Sequence, residues 1–206
     1  MERGIWNGLG AGTLLVACGV FAATSAHAQV EGSGGYFGLS AGKVMMQDYC
    51  ESAPGLTVTS CDDEDTGYRI FGGYKFNKNF GVEGAYVNFG SYPASGTFVG
   101  TPFNLEVEIT GLTAQAVGMV PMGDFFTLIG RAGVILWSID SSAQVLGLSG
   151  SASDDGVDLA VGIGGQFNFT RNFGLRADLD LYPGLGSKDT GEEDVTMVSV
   201  GLVFSF

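Results

Sequence analysis

The chain has 206 residues, of which 35 are glycine, 45% are hydrophobic and only 15% are charged, and it carries a net charge of −13. That acidity argues against a nucleic-acid partner, because a phosphate backbone attracts basic surfaces. The length suits one domain of ordinary size, but the charge content is well below the roughly 25% of a soluble domain, so the period of the apolar residues has to decide the class.

Residues 1–28 read as an export signal. Arg3 forms a thin basic start, residues 9–23 are apolar and small, and Ala26-His27-Ala28 fits the small-x-small cleavage rule with Gln29 as the new N-terminus. Leu15-Val16-Ala17-Cys18 also fits a lipobox, which would make Cys18 an acylation site, although apolar residues continue past it at Val20 to Ala23. Removal of 1–28 takes away Glu2, Arg3 and His27, one acid and one base, so the net charge stays at −13 and no histidine remains. Cys50 and Cys61 are then the two cysteines, and in an exported chain their spacing favours a disulfide over two free thiols. No apolar run after the signal is long enough for a transmembrane helix.

The domain from 29 to 206 reads as strands throughout. In 157–169, Val157, Leu159, Val161, Ile163, Gly165, Phe167 and Phe169 alternate with small or polar residues, which is period two and hence a strand. Eight strands are expected, near 35–46, 66–77, 80–91, 104–121, 125–140, 156–169, 173–183 and 194–206. The phase slips around 111–117, which suggests a bulge near Gly111. Three connections are tight (77–79, 122–124 and 170–172), and four are long (47–65, 92–103, 141–155 and 184–193). Two of the tight turns are near copies: "FNKNFGVE" at 76–83 returns as "FTRNFGLR" at 169–176, pairing Lys78 with Arg171, Asn79 with Asn172, and Glu83 with Arg176. Asn79 and Asn172 are read as turn residues. Short turns at one end and long loops at the other is the layout of an outer-membrane barrel.

Three features place the apolar face toward lipid rather than inward, as it would point in a soluble periplasmic barrel. The minority face carries Gly38, Ser40, Gly42, Gly162 and Gly164, which suit a crowded interior. Phe76, Phe80, Phe125, Phe126, Phe169 and Phe173 crowd the short turns as a girdle, joined by Phe204 and Phe206, while Tyr49, Tyr92, Trp137 and Tyr182 are expected to form the second girdle near the long loops. The chain ends on "VSVGLVFSF", with Val198, Val200, Leu202, Phe204 and Phe206 alternating to a terminal Phe, a pattern that resembles a barrel-assembly signal. With "YFGLSAG" (36–42), "FGGYKFNKNFGVEGAY" (71–86), "IGRAGV" (129–134) and "FNFTRNFGLRADLDLY" (167–182), the chain resembles the OmpA-type family of small porin-like or surface-antigen barrels. The resemblance implies an all-β, eight-stranded antiparallel up-and-down transmembrane barrel in the outer membrane of a Gram-negative cell. Because the sequence stops at the barrel, the family's peptidoglycan-binding domain is not carried over.

Facing lipid outward puts Ser40, Arg69, Lys75, Glu83, Arg131, Asp158, Gln166, Arg176 and Asp178 in the lumen. A charge there needs an opposite partner, so a salt-bridge network of Arg69, Glu83, Arg131, Asp158, Arg176 and Asp178 is expected. In the resembled family such pairs plug the lumen and can switch to open a small pore, so a static network and a narrow diffusion channel are the two readings. No catalytic residue is assigned, since the barrel enzymes are understood to use a histidine and 29–206 contains none. "CDDED" (61–65) and "GEED" (191–194) are read as solvated loop charge rather than a calcium site, because they lack EF-hand spacing. No metal or cofactor is expected. The expected function is structural and surface-interacting, with outer-membrane lipid or lipopolysaccharide, barrel-assembly and periplasmic chaperone machinery, and a host or environmental ligand at the loops as partners, and with a monomer as the working state.

Overall fold

The structure, a computed structural model, describes residues 32–46, 56–61, 64–98, 101–145, 148–187 and 191–206. The expected signal segment, Cys18, Tyr49 and Cys50 lie outside these residues.

Among the described residues nine strands follow one another: β1 (Gly34–Met46), β2 (Leu56–Cys61), β3 (Glu64–Lys75), β4 (Phe80–Phe98), β5 (Thr101–Met122), β6 (Phe126–Val145), β7 (Leu148–Asn168), β8 (Phe173–Ser187) and β9 (Gly191–Ser205). All pairings are antiparallel. Neighbours in sequence pair from β3 to β9, and β1 joins β3 on one side and β9 on the other, so eight strands close into a barrel. Closure leaves no edge within the ring. β2 is the ninth strand; among the described residues it pairs only with the far part of β4, from Leu56 opposite Phe98 to Cys61 opposite Ala94, beyond the stretch that β3 covers.

The four long connections were expected to be loops, and here the structure corrects the sequence. β2 lies within 47–65. β4 and β5 continue pairing to Phe98 and Thr101, β6 and β7 to Val145 and Leu148, and β8 and β9 to Ser187 and Gly191. These are β-ribbons that project past the ring. β7 pairs with β8 only from Val161 to Asn168, so its residues 148–160 have a strand on the β6 side and, among the described residues, none on the other.

The apparent phase slip in β5 has a different cause from the one expected. β5 pairs with β6 without interruption from Phe103 to Met122, and its odd positions stay buried from Val107 to Met119. What changes is polarity. Near the short turns the outward residues are apolar (Leu112 and Val120 are 57% and 58% exposed) while Thr113 and Gln115 point inward; farther along, Glu106 and Glu108 point outward and Val107 and Ile109 inward. A strand that leaves hydrocarbon for water turns its polarity inside out without changing phase. The bulge sits instead on β4, where Phe89 and Gly90 face Ile109 and Gly90 takes a φ of 97°.

The outward belt includes Leu39, Ile70, Leu112, Leu136, Leu159, Ile163, Val200 and Leu202, each more than half exposed. Such a belt is stable against hydrocarbon, not water. At the short-turn end Phe76, Phe80, Phe125, Phe169, Phe173 and Phe206 all point outward, with Phe204 packed between Phe37 (5.5 Å) and Phe173 (4.9 Å). The expected second girdle fails in part. Tyr92, Trp137 and Tyr182 are buried inside the barrel, because each falls on the inward phase of its strand. Two outward aromatics toward that end are Tyr68 and Tyr86, 6.2 Å apart.

The doubled turn is a structural repeat. Asn77 Oδ1 accepts from the N–H groups of Asn79 and Phe80, and Thr170 Oγ1 accepts from those of Asn172 and Phe173. Asn79 Nδ2 then donates to Met119 O (3.1 Å), and Asn172 Nδ2 to Ser205 O (2.7 Å). Each Asn thus fastens its turn to the next strand. In the third tight turn Gly123 takes a positive φ, of 74°.

Candidate functional site in the barrel lumen

Midway along the lumen six charged side chains from four strands meet: Arg69 from β3, Glu83 from β4, Arg131 from β6, and Arg176, Asp178 and Asp180 from β8. All are almost fully buried. Three guanidiniums face three carboxylates, so the cluster is neutral as a unit. Glu83 is its hub. It pairs with Arg69, with Arg176 (2.7 Å) and with Arg131 (3.4 Å), and it accepts the hydroxyl of Tyr36 at 2.9 Å. Arg131 Nη2 reaches Asp180 at 2.7 Å and Asp178 at 3.2 Å, Arg176 Nε donates to Asp178 at 3.0 Å, and Arg69 Nη1 lies 3.4 Å from Asp178. Ions this deep persist only when matched in charge and hydrogen-bonded, since an unmatched one costs several kcal/mol.

The neighbouring sequence makes room for the cluster. A Cβ on Gly162 would run into Asp180 Oδ1 and lie 3.0 Å from Arg131 Nη2, and one on Gly164 would run into Asp178 Oδ1. Both glycines belong to β7, between the strands that carry Arg131 and the two aspartates. β7 therefore contributes space where its neighbours contribute charge. On the short-turn side, the ring of Phe71 lies 4.8 Å from the Arg69 guanidinium and 4.9 Å from that of Arg176, placing cations over an aromatic face.

Past the cluster, toward the ribbons, the interior is apolar apart from Asp158, which is hydrogen-bonded to Trp137. Val44, Val87, Phe89, Ile109, Ile135, Trp137, Leu185, Val195 and Met197 belong to one buried group, and Phe89 meets Tyr182 edge-on across the barrel at 5.0 Å. Tyr92 donates its hydroxyl to Phe89 O at 2.8 Å, which satisfies the polar tip of a fully buried ring.

The structure brings together five of the six residues expected to form a network: Arg69, Glu83, Arg131, Arg176 and Asp178. It places Asp158 elsewhere. Asp158 points inward, but four residues from Gly162, about 13 Å along the strand at 3.3 Å per residue, and it accepts from Trp137 Nε1 at 2.5 Å. Asp180 takes the third acidic place. It shares the inward phase of Arg176 and Asp178 in "LRADLDLY", and that alternation was the signal for it. Tyr36 was also missed, though it opens the alternating run that includes Ser40. Ser40 is buried against Ser199, 3.5 Å away, Gln166 Nε2 donates to Asn168 Oδ1 at 2.7 Å, and half-buried Lys75 lies toward the turns with its Nζ 5.9 Å from the Tyr36 ring centre. Among the described residues no group of three or more His, Cys, Asp or Glu side chains is arranged to hold a metal ion. Cys61 ends β2, and its proposed partner Cys50 lies outside the described residues.

Comparison with known proteins agrees with this geometry. Residues 13–206 match a family described as the outer membrane protein beta-barrel domain. Outer membrane protein A of Serratia marcescens is 28% identical over 148 residues, which cover 69% of this chain and 40% of that protein. The chain thus spans well under half the length of this curated relative. Among solved structures, Neisserial surface protein A superposes with a TM-score of 0.58 at 19% identity, covering 85% of this chain and all of that one. The attachment invasion locus protein Ail of Yersinia pestis gives 0.54 at 22% identity, covering 86% of this chain and all of Ail.

Proposed function

The chain belongs to the outer membrane protein beta-barrel family, as an OmpA-like eight-stranded barrel, and from that premise we propose that it is a non-enzymatic surface protein whose lumen is sealed and whose projecting ribbons meet partners outside the cell. The observation that carries this reading is the inversion of polarity along the strands. Beyond the apolar belt the barrel is polar outside and apolar within, so its outer part is a folded body and not the mouth of a pore. The balanced charge cluster beneath it closes the lumen a second time. A narrow diffusion channel would need both layers to open.

The projecting sheet also constrains what it can meet. Glu106, Glu108 and Asp140 are exposed on its outer face beside Ser142, Ser151 and Ser153. Ail has been crystallised with a heparin analogue. The acidic face here would repel such a polyanion, so a cationic or neutral partner fits better. Within this reading a Cys50–Cys61 disulfide clamps the connection that carries β2, and a mass gain of two hydrogens on reduction checks it.

Neutralising the acidic face tests the proposal. Glu106→Gln, Glu108→Gln and Asp140→Asn together keep the ribbon and remove three exposed carboxylates from its outer face. At equal surface level, cells carrying this variant should attach less to a lysine-rich protein surface than cells carrying the parent barrel. Equal attachment would overturn the reading.

A further inference from the structure

At the short-turn end a cavity of about 670 Å3 opens between the turns and ends inward against Tyr36 and Arg176. Its charge opposes that of the chain. Lys75, Lys78 and Arg171 line it, while Asp124 supplies the one carboxylate among the described lining residues. The Arg176 guanidinium is already taken up by Glu83 and Asp178. Among the described residues, none of Lys75, Lys78 and Arg171 has a carboxylate within ion-pair distance. In a chain with 22 acidic residues against 9 basic ones, three cations around one cavity with no ion pair among the described residues need an explanation.

Their placement is built into the fold. Lys75 lies on the inward phase of β3, half-buried. Lys78 and Arg171 hold the same position in the doubled turn, so the repeat sets one cation at each of two places on the rim. The opposite wall is different in kind: Val117, Met119 and Ile129 form a buried apolar group on β5 and β6. Gln166 and Asn168 add amide groups between the two walls. The cavity volume falls within the range of small-molecule sites, and short turns face the periplasm in barrels of this family.

We propose that this cavity is a periplasm-facing binding site for a small organic polyanion, one that carries at least two carboxylate or phosphate groups and an apolar face. The anionic groups sit against Lys75 and the rim cations, and the apolar face lies on Val117, Met119 and Ile129. Affinity falls as salt rises, because the rim is exposed and screened. The site is at the opposite end from the surface role proposed above, and neither depends on the other.

The test uses the isotope-labelled full chain in nanodiscs of zwitterionic lipid, titrated with benzene-1,3,5-tricarboxylate, citrate, pyrophosphate and inorganic phosphate. Saturable shifts at the side-chain amides of Gln166 and Asn168 are expected with the aromatic tricarboxylate, and weaker ones with citrate or pyrophosphate. Lys75→Met, with an otherwise unchanged spectrum, should weaken binding about tenfold, the worth of one charge-assisted hydrogen bond. Lys43→Met should not, because Lys43 pairs with Glu64 toward the far end of β3. No saturable shift, or the same affinity in Lys75→Met, would overturn the site. Inorganic phosphate binding as tightly as the tricarboxylate would overturn the assignment of an apolar face, and pyrophosphate exceeding citrate would assign the ligand to the phosphate class.

Discussion

Substituting Glu83 by Gln tests the cluster at its hub. The carboxylate takes contacts from Arg69, Arg131, Arg176 and Tyr36 on two oxygens. Gln keeps the shape, removes the charge and turns an amide toward a guanidinium. Three buried arginines are then left facing two aspartates. Breaking a buried ionic network from one side costs about 3–5 kcal/mol, because the other side stays buried and unmatched. That is a large share of the ~5–15 kcal/mol by which folded proteins exceed their unfolded states. With a urea dependence of about 2 kcal/mol per molar, the unfolding midpoint should fall by about 2 M. The assay is urea unfolding of the refolded barrel in phosphocholine vesicles, followed by Trp137 fluorescence and by the heat-modifiable gel band. Adding Arg131→Gln restores neutrality, so the double variant should recover at least ~1.5 kcal/mol of the summed losses. A single variant within ~0.5 kcal/mol of the parent, or a strictly additive double variant, would refute the reasoning.

Other positions give separate checks. A Cβ on Gly42 would overlap the backbone of Val198 and Ser199 at the β1–β9 seam, whereas one on Gly72 would meet its nearest atom, Tyr36 O, at 3.6 Å. Gly42→Ala should therefore cost about 1–3 kcal/mol and reduce the heat-resistant folded fraction, and Gly72→Ala should leave it unchanged. Trp137→Phe strips Asp158 of its indole donor and should cost ~1–3 kcal/mol in urea unfolding read by the heat-modifiable gel band, since the variant lacks the fluorophore; in the parent protein Trp137, 4% exposed, should resist quenching by acrylamide. Phe206→Ala removes a ring that lies 6.2 Å from Phe204 and against Gly35, and should lower the amount of barrel assembled in cells, read by surface labelling.

Much of the architecture was legible in the sequence, because period-two alternation is strong wherever one face meets lipid and the other a crowded lumen. Phe167, Leu175 and Leu202 stand out from Gly164, Arg176 and Gly201 without any tertiary information. The contrast fades where both surroundings are mixed. Beyond the apolar belt the ribbons are rich in Ser, Gly and Asp, so 141–155 reads as loop although residues 141–145 and 148–155 pair in strict register. Tyr92, Trp137 and Tyr182 were placed by their distance from the loops instead of their phase, and the phase turned them inward. The cluster was legible through alternation, which gives the direction of a side chain but not its height in the barrel. Asp158 and Asp180 both point inward, and only register, set by β6 and β8 against β7, puts one beside Trp137 and the other beside Arg131.

The central claim is that the lumen is sealed twice, by balanced charges and by the apolar body beyond them. Single-channel recording of the full barrel in a planar bilayer tests it most directly. The account predicts a silent trace from the folded, heat-modifiable protein across moderate voltages and salt. Reproducible conductance steps from that same protein, lost when the barrel is unfolded by heat, would contradict it.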